Sequence, residues 1–102
     1  LRDYQGARLE AIGDDLVAVQ VTMAGATLET DVQAYADCAA AQHALDEGYG
    51  FARNIRRKVD QEGSIWRGDA VYTLSKSLPR GETTIDAEVV VSGCLEAGVP
   101  TV

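Results

Sequence analysis

The side chains best suited to nucleophilic, base or zinc-ligand chemistry are scarce in this 102-residue chain: it has a single histidine, His43, and two cysteines, Cys38 and Cys94. A cysteine nucleophile needs a base within hydrogen-bonding reach of its thiol. Cys38 and His43 are five positions apart in a segment that we expect to be helical, which separates them by about 140° around the helix axis. We therefore expect no Cys–His dyad, and His43 on the surface.

Other reactive constellations are also poorly supported. Two cysteines and one histidine do not complete a tetrahedral zinc site, and the adjacent acids Asp14–Asp15 and Asp46–Glu47 lack the spacing of a calcium loop. No P-loop, dinucleotide-binding glycine pattern or nucleophile elbow is present. We expect no metal and no cofactor, and the sequence favours a protein that is not an enzyme.

The two cysteines could instead pair with each other. Cys38 lies in the middle of the predicted helix, whereas strict alternation places Cys94 on the outer face of the last predicted strand. A bulge at Gly93 would turn Cys94 inward. A Cys38–Cys94 disulfide would then be structural, and two unpaired thiols stay the alternative.

The charge distribution argues against nucleic acid as a partner. The chain carries a net charge of −7, which repels phosphate backbones and anionic lipids. Four basic residues nevertheless cluster at Arg53, Arg56, Arg57 and Lys58. This cluster is either a solvated strand surface or a small patch that docks an anionic partner.

Alternating and helical patterns predict the elements that position these residues. In the segment 14–25, Val17, Val19, Val21 and Met23 share one face of a strand. Two further strands are predicted at 51–59 and 64–75, joined by a hairpin through Gly63. After a turn at Pro79 and Gly81, a last strand should run over 83–94 with alternate inward residues: Ile85, Ala87, Val89 and Val91.

The segment "TDVQAYADCAAAQHALDEGYG" predicts the single helix. Thr30 and Gln33 fit a capping box at its start, and Gly48 fits the left-handed residue that follows a helix end. One side of the helix should face the sheet, through Ala34, Cys38, Ala41 and Leu45.

The predicted fold class is α+β: a four-stranded, mostly antiparallel sheet with one helix packed on one face, in the order β-α-β-β-β. We expect the last three strands to form a meander. Residues 1–102 form a single domain in this prediction, with residues 1–13 as a candidate irregular N-terminal arm. The other sheet face is semi-polar and could be solvated or hold a partner, and its members would be Gln20, Thr22, Arg67, Asp69, Thr73, Asp86 and Glu88.

Five aromatic residues could meet between helix and sheet. They would either fill the core or line a small apolar ligand cleft. They are Tyr35, Tyr49, Phe51, Trp66 and Tyr72.

The segments "YADCAAAQHALDEGYGFAR", "IWRGDAVYTLS" and "TIDAEVVV" resemble a group of small bacterial envelope proteins of unknown function, mostly assigned as lipoproteins. The resemblance runs from about Leu16 to the end of the chain. It implies export to the periplasm or cell envelope, and a membrane tether through residues upstream of Leu1. It supplies no catalytic residues.

These observations predict a non-catalytic, envelope-associated interaction module that binds another protein or associates with itself. The alternative is a small-ligand binder or an unrecognised hydrolytic domain that uses the cleft between helix and sheet.

Overall fold

The computed structural model describes residues 1–78, 80 and 84–101. The elements follow in the order β1 (Asp3–Gly13), β2 (Leu16–Ala24), α1 (Glu29–Asp46), β3 (Phe51–Glu62), β4 (Ile65–Ser75), β5 (Thr84–Asp86) and α2 (Ala87–Ala97). The predicted turn at Pro79 and Gly81 lies outside the described residues.

The strands form one antiparallel sheet in the order β1-β2-β4-β3-β5. The β3–β4 hairpin turns at Gly63, as predicted, with Glu62 opposite Ile65. The predicted meander is wrong, because β5 pairs with β3 and not with β4. Since β2 and β3 both run antiparallel to β4, which lies between them, α1 is the crossover that connects β2 to β3.

The predicted four-strand, one-helix architecture is also wrong, and two segments account for the difference. The first is the N-terminal segment, where β1 pairs with β2 along most of its length instead of forming an irregular arm. Every second residue from Ala7 to Ala11 is apolar, which is the period of a strand. This segment supplies the additional strand.

The second segment is the predicted last strand, which is a strand for only three residues before α2 begins. Asp86 caps α2, since its carboxylate accepts a hydrogen bond from the Val89 N–H at 3.3 Å. Gly98, at φ 73°, ends the helix in the left-handed conformation. Val89, which the prediction turned inward, is 67% exposed.

The helix α1 begins one residue earlier than predicted, and its cap differs. Asp31, rather than Thr30, makes the capping contacts: its carboxylate accepts from the backbone N–H of Thr27 at 2.9 Å and of Leu28 at 3.1 Å. Gly48, at φ 83°, follows the end of the helix as predicted.

The core lies between α1 and the sheet. The β2 residues Val17, Val19, Val21 and Met23 are buried, as their alternation predicts. The predicted helix stripe is only partly right, because Ala34 is exposed and Leu45 half-buried. The buried α1 residues spread around much of the helix, because α2 covers a second side of it, and they are Val32, Tyr35, Ala36, Cys38, Ala39, Ala40, Ala41 and Ala44.

Candidate interaction surface

One face of the sheet faces away from α1, and we call it the open face. Its side chains alternate along each strand with those that point into the core. Along β2, Gln20 is exposed and Ala18 and Thr22 are half-buried, whereas their odd-numbered neighbours are fully buried. Of the residues predicted on this face, Asp86 and Glu88 lie elsewhere, at the start of α2.

The strand register arranges the open face in rows that cross the sheet. One row consists of Arg8, Gln20, Asp69 and Lys58, which stand directly opposite one another on β1, β2, β4 and β3. Directly opposite residues on neighbouring strands have Cβ atoms about 5 Å apart. This polar row therefore runs without interruption across four strands.

The neighbouring row places apolar side chains at the middle of the open face. It consists of Glu10, Ala18, Val71 and Arg56. Ala18 and Val71 are half-buried although they point away from the core. A small apolar centre flanked by an acid and an arginine is typical of protein contact surfaces.

The predicted basic patch is divided between the two faces of the sheet. Arg53, Arg56 and Lys58 stand on the open face, opposite Thr73, Val71 and Asp69. We call these three residues the basic ridge. Arg57 points to the α1 side, because a register shift between Asn54 and Arg56 precedes it.

The basic ridge is only partly neutralised. Lys58 lies 3.5 Å from the Asp60 carboxylate. Within the described part of the chain, no carboxylate lies within ion-pair distance of Arg53 or Arg56. Five of the nine basic residues stand on the open face, so this face is less acidic than the rest of the molecule, and they are Arg8, Arg53, Arg56, Lys58 and Arg67.

Two shallow depressions mark the open face. One of about 440 Å³ lies over β1, β2 and β4, between Arg8 and Arg67. The other, of about 230 Å³, lies beside the ridge residues Arg56 and Lys58. Both are open to solvent; mainly polar groups line the first, whereas apolar and charged side chains line the second. Open depressions suit a protein segment better than an enclosed small molecule.

On the opposite face, Arg57 completes a polar cluster with Asp37 of α1. The guanidinium donates to the Asp37 carboxylate at 2.8 Å, to the Gln33 side chain at 3.0 Å and to the Asn54 side chain at 3.0 Å. Burial raises the pKa of Asp37, although the Tyr72 hydroxyl and Arg57 both favour its charged form. Burial and the adjacent Asp37 likewise raise the pKa of Tyr72. Because these hydrogen bonds join side chains of α1 to side chains of β3 and β4, the cluster fastens α1 to the sheet.

The two cysteines form a disulfide between α1 and α2. Their Cα atoms are 6.0 Å apart, within the usual range for a bridge. The helix α2, and not a bulge at Gly93, turns Cys94 inward. Because Cys38 is bonded, it offers no thiolate to His43, which is half-buried at another position on α1. Among residues 1–78, 80 and 84–101, no group of histidine, cysteine and acidic residues is arranged to hold a metal ion.

The five aromatic residues predicted to fill the core or to line a ligand cleft differ in burial. Tyr35 and Tyr72 are completely buried, so they fill the core. Tyr49, Phe51 and Trp66 are half-buried. Tyr35 also packs edge-on against Tyr4, with ring centroids 4.9 Å apart, and accepts a hydrogen bond from the Gly6 N–H at 3.0 Å. Tyr35 thus connects α1 to β1.

Sequence reasoning missed Arg8 and Glu10, which stand on the open face of β1. The signal was present in the alternation of Ala7, Arg8, Leu9, Glu10 and Ala11. The prediction of an irregular arm over residues 1–13 leaves this alternation outside the sheet.

Among the described residues, neither α1 nor α2 combines the length and the hydrophobicity that a membrane-spanning helix requires.

Comparison with known proteins shows the family of the chain. A bacterial relative, described as an uncharacterized 26.9 kDa protein in the nqo8 5′ region of Paracoccus denitrificans, is 31% identical over 105 residues. The alignment covers 97% of this chain but only 41% of that relative. No solved structure matches the chain. The family model of the YNQ4 C-terminal domain matches residues 4–98, and the chain therefore belongs to that family.

Proposed function

We propose that this domain is a non-catalytic interaction module that binds a protein partner on the open face of its sheet. The observation that carries the proposal is the composition of this face: an apolar centre at Ala18 and Val71, next to a basic ridge whose Arg53 and Arg56 have no carboxylate partner in the described part of the chain.

The charges of the ridge define the chemistry of the partner. A matching segment presents carboxylates to Arg56 and Lys58 and an apolar side chain to Val71. The net charge of −7 does not prevent such binding, because salt screens exposed charges beyond about 8 Å at physiological ionic strength. The ridge therefore attracts an acidic segment locally, and the attraction weakens as salt is added.

A peptide titration followed by NMR tests this proposal. The probe is a short peptide with glutamates on both sides of a valine, and the control replaces the glutamates by lysines. We expect the acidic peptide to shift backbone amide signals at Ala18, Arg56 and Val71, and to lose effect at high salt. Equal shifts from the lysine peptide, or shifts confined to α1 and α2, would overturn the proposal.

A matched pair of variants separates the ridge from total charge. Arg56→Glu and Lys76→Glu change the net charge equally, and both side chains are exposed. Arg56→Glu should weaken binding of the acidic peptide about tenfold or more, since it turns attraction into repulsion at the contact. Lys76→Glu should leave binding nearly unchanged, because Lys76 follows the end of β4 and lies outside the ridge.

The proposal includes export to the bacterial envelope. The Cys38–Cys94 disulfide supports it, because such bridges persist in oxidising compartments and are rare in the cytosol of mesophiles. Acid quenching of intact cells, followed by alkylation of thiols under denaturing conditions without reductant, tests this, because both cysteines are buried in the folded protein. Two alkylated cysteines would count against export. A lipid tether upstream of Leu1 stays a prediction, checked by fatty-acid labelling of the full-length protein.

A further inference from the structure

We infer that β1 is also a self-association edge, on which a second copy of this chain adds its own β1 in antiparallel orientation. This inference rests on the proposed interaction role but concerns the β1 edge of the sheet, whereas the basic ridge lies on β3. The strand β1 lies at the end of the sheet, and β2 is its only partner strand among the described residues. Its outer backbone groups therefore present a template for strand addition.

The alternation along β1 selects one register for a symmetric pair. A two-fold axis perpendicular to the sheet through Leu9 places Leu9 opposite Leu9 of the second copy, and Ala7 opposite Ala11. The same register places Arg8 opposite Glu10 of the second copy, and Glu10 opposite Arg8. Opposite residues in an antiparallel pair point to the same face, so both ion pairs form on the open face.

The neighbouring symmetric registers are less favourable. A shift of the axis by one residue toward the N-terminus sets Arg8 opposite Arg8. A shift by one residue toward the C-terminus sets Glu10 opposite Glu10. Like charges directly opposite each other destabilise a strand pair. The sequence of β1 is thus self-complementary in one register, as an isologous interface requires.

Burial on the α1 side agrees with this register. The helix α1 packs mainly over β2, β3 and β4, and it leaves Ala7 and Leu9 only half-buried and Ala11 exposed. Pairing would cover these apolar side chains.

Exchange of the charges at Arg8 and Glu10 tests the self-association. Sedimentation velocity of the complete chain over a range of concentrations should show a rise from 10.9 kDa toward twice that mass. Arg8→Glu or Glu10→Arg alone should weaken the dimer about tenfold, because each places like charges in both pairs. The double variant Arg8→Glu/Glu10→Arg should restore wild-type association. A monomer at all concentrations, or a double variant as weak as the single ones, overturns the inference.

Hydrogen exchange locates the contact independently of the variants. Backbone amides in residues 7–11 should exchange more slowly as protein concentration rises, and those of α2 should not change. Protection elsewhere would overturn the inference. Arg56→Glu, on β3 and away from the β1 edge, should weaken peptide binding but leave self-association intact. Failure of one proposal is therefore distinguishable from failure of the other.

Discussion

The hydroxyl of Tyr72, on β4, donates a hydrogen bond of 2.5 Å to Oδ1 of Asp37, on α1. The same carboxylate oxygen accepts from Arg57 of β3 at 2.8 Å. One side chain of the helix thus holds two neighbouring strands, through the buried Tyr72 and the more exposed Arg57.

Tyr72→Phe removes one donor from the Asp37 carboxylate without leaving a large void. Because the Tyr72 hydrogen bond lowers the pKa of Asp37, its loss should move that pKa further upward. We expect a loss of about 1–2 kcal/mol in the free energy of unfolding. Carboxyl titration by NMR and urea unfolding measure the two effects. An Asp37 pKa that stays the same or falls would contradict the hydrogen bond.

Asp37→Asn should change how stability depends on pH. Burial raises the pKa of Asp37 above its ordinary value of 3.8, so the folded state holds this proton more tightly than the unfolded state. The associated stabilisation is complete below that value and is lost as the pH rises through the folded-state pKa. The wild type should therefore lose stability as the pH rises through this window, whereas Asp37→Asn should not. Urea unfolding from acid to neutral pH checks the difference.

Asp31→Asn should show the opposite dependence. Hydrogen bonds from the Thr27 and Leu28 backbone lower the pKa of Asp31 in the folded state. Its stabilisation is present above the ordinary pKa and is lost as the pH falls through the folded-state value. The variant should be less stable than the wild type at neutral pH, and the two should converge in acid. Thermal unfolding of both proteins at several pH values tests this, and a constant difference would count against it.

Removal of the disulfide should loosen α2 first. The bonded cysteines are 56 positions apart, and on the chain-entropy model such a bridge stabilises by about 4 kcal/mol. Only Ala87 and Cys94 of α2 are fully buried, so this helix has little else to hold it. In a Cys38→Ala/Cys94→Ala variant, amides of α2 should exchange much faster while those of β2 stay protected. Uniform loss of protection would instead indicate one cooperative unit.

Two glycines provide a matched comparison of packing. A Cβ at Gly68 would lie 2.8 Å from Cγ1 of Val32 on α1 and 3.0 Å from Cγ2 of Val21 on β2. Gly68→Ala should destabilise by about 1–3 kcal/mol through overpacking. Gly93, inside α2, has no neighbour within 4 Å of the same position. Gly93→Ala should stabilise by up to about 1 kcal/mol, through helix propensity. Denaturant unfolding of the two variants shows whether the signs differ.

The sequence alone determined those helices, strands and turns whose residue pattern is compatible with a single type of structure. The alternation from Val17 to Met23 identified a strand with one buried face. Gly48 identified the end of α1, because a left-handed backbone there suits glycine. Gly63 identified the hairpin for the same reason. The sequence predicts only part of the candidate site. It shows the basic residues as a cluster, but their division between two faces of the sheet depends on the register shift between Asn54 and Arg56.

Tertiary structure decided the segment after Thr84, because two periods fit its apolar residues. Ile85, Ala87, Val89 and Val91 alternate as in a strand, but Ala87, Val90, Val91 and Cys94 also follow the spacing of a helix face. As a strand, residues 86–94 would extend about 26 Å and carry Cys94 away from the start of the segment. As a helix, the same residues rise about half as far. The helix packs on α1 and brings Cys94 to Cys38, a contact that no local pattern encodes.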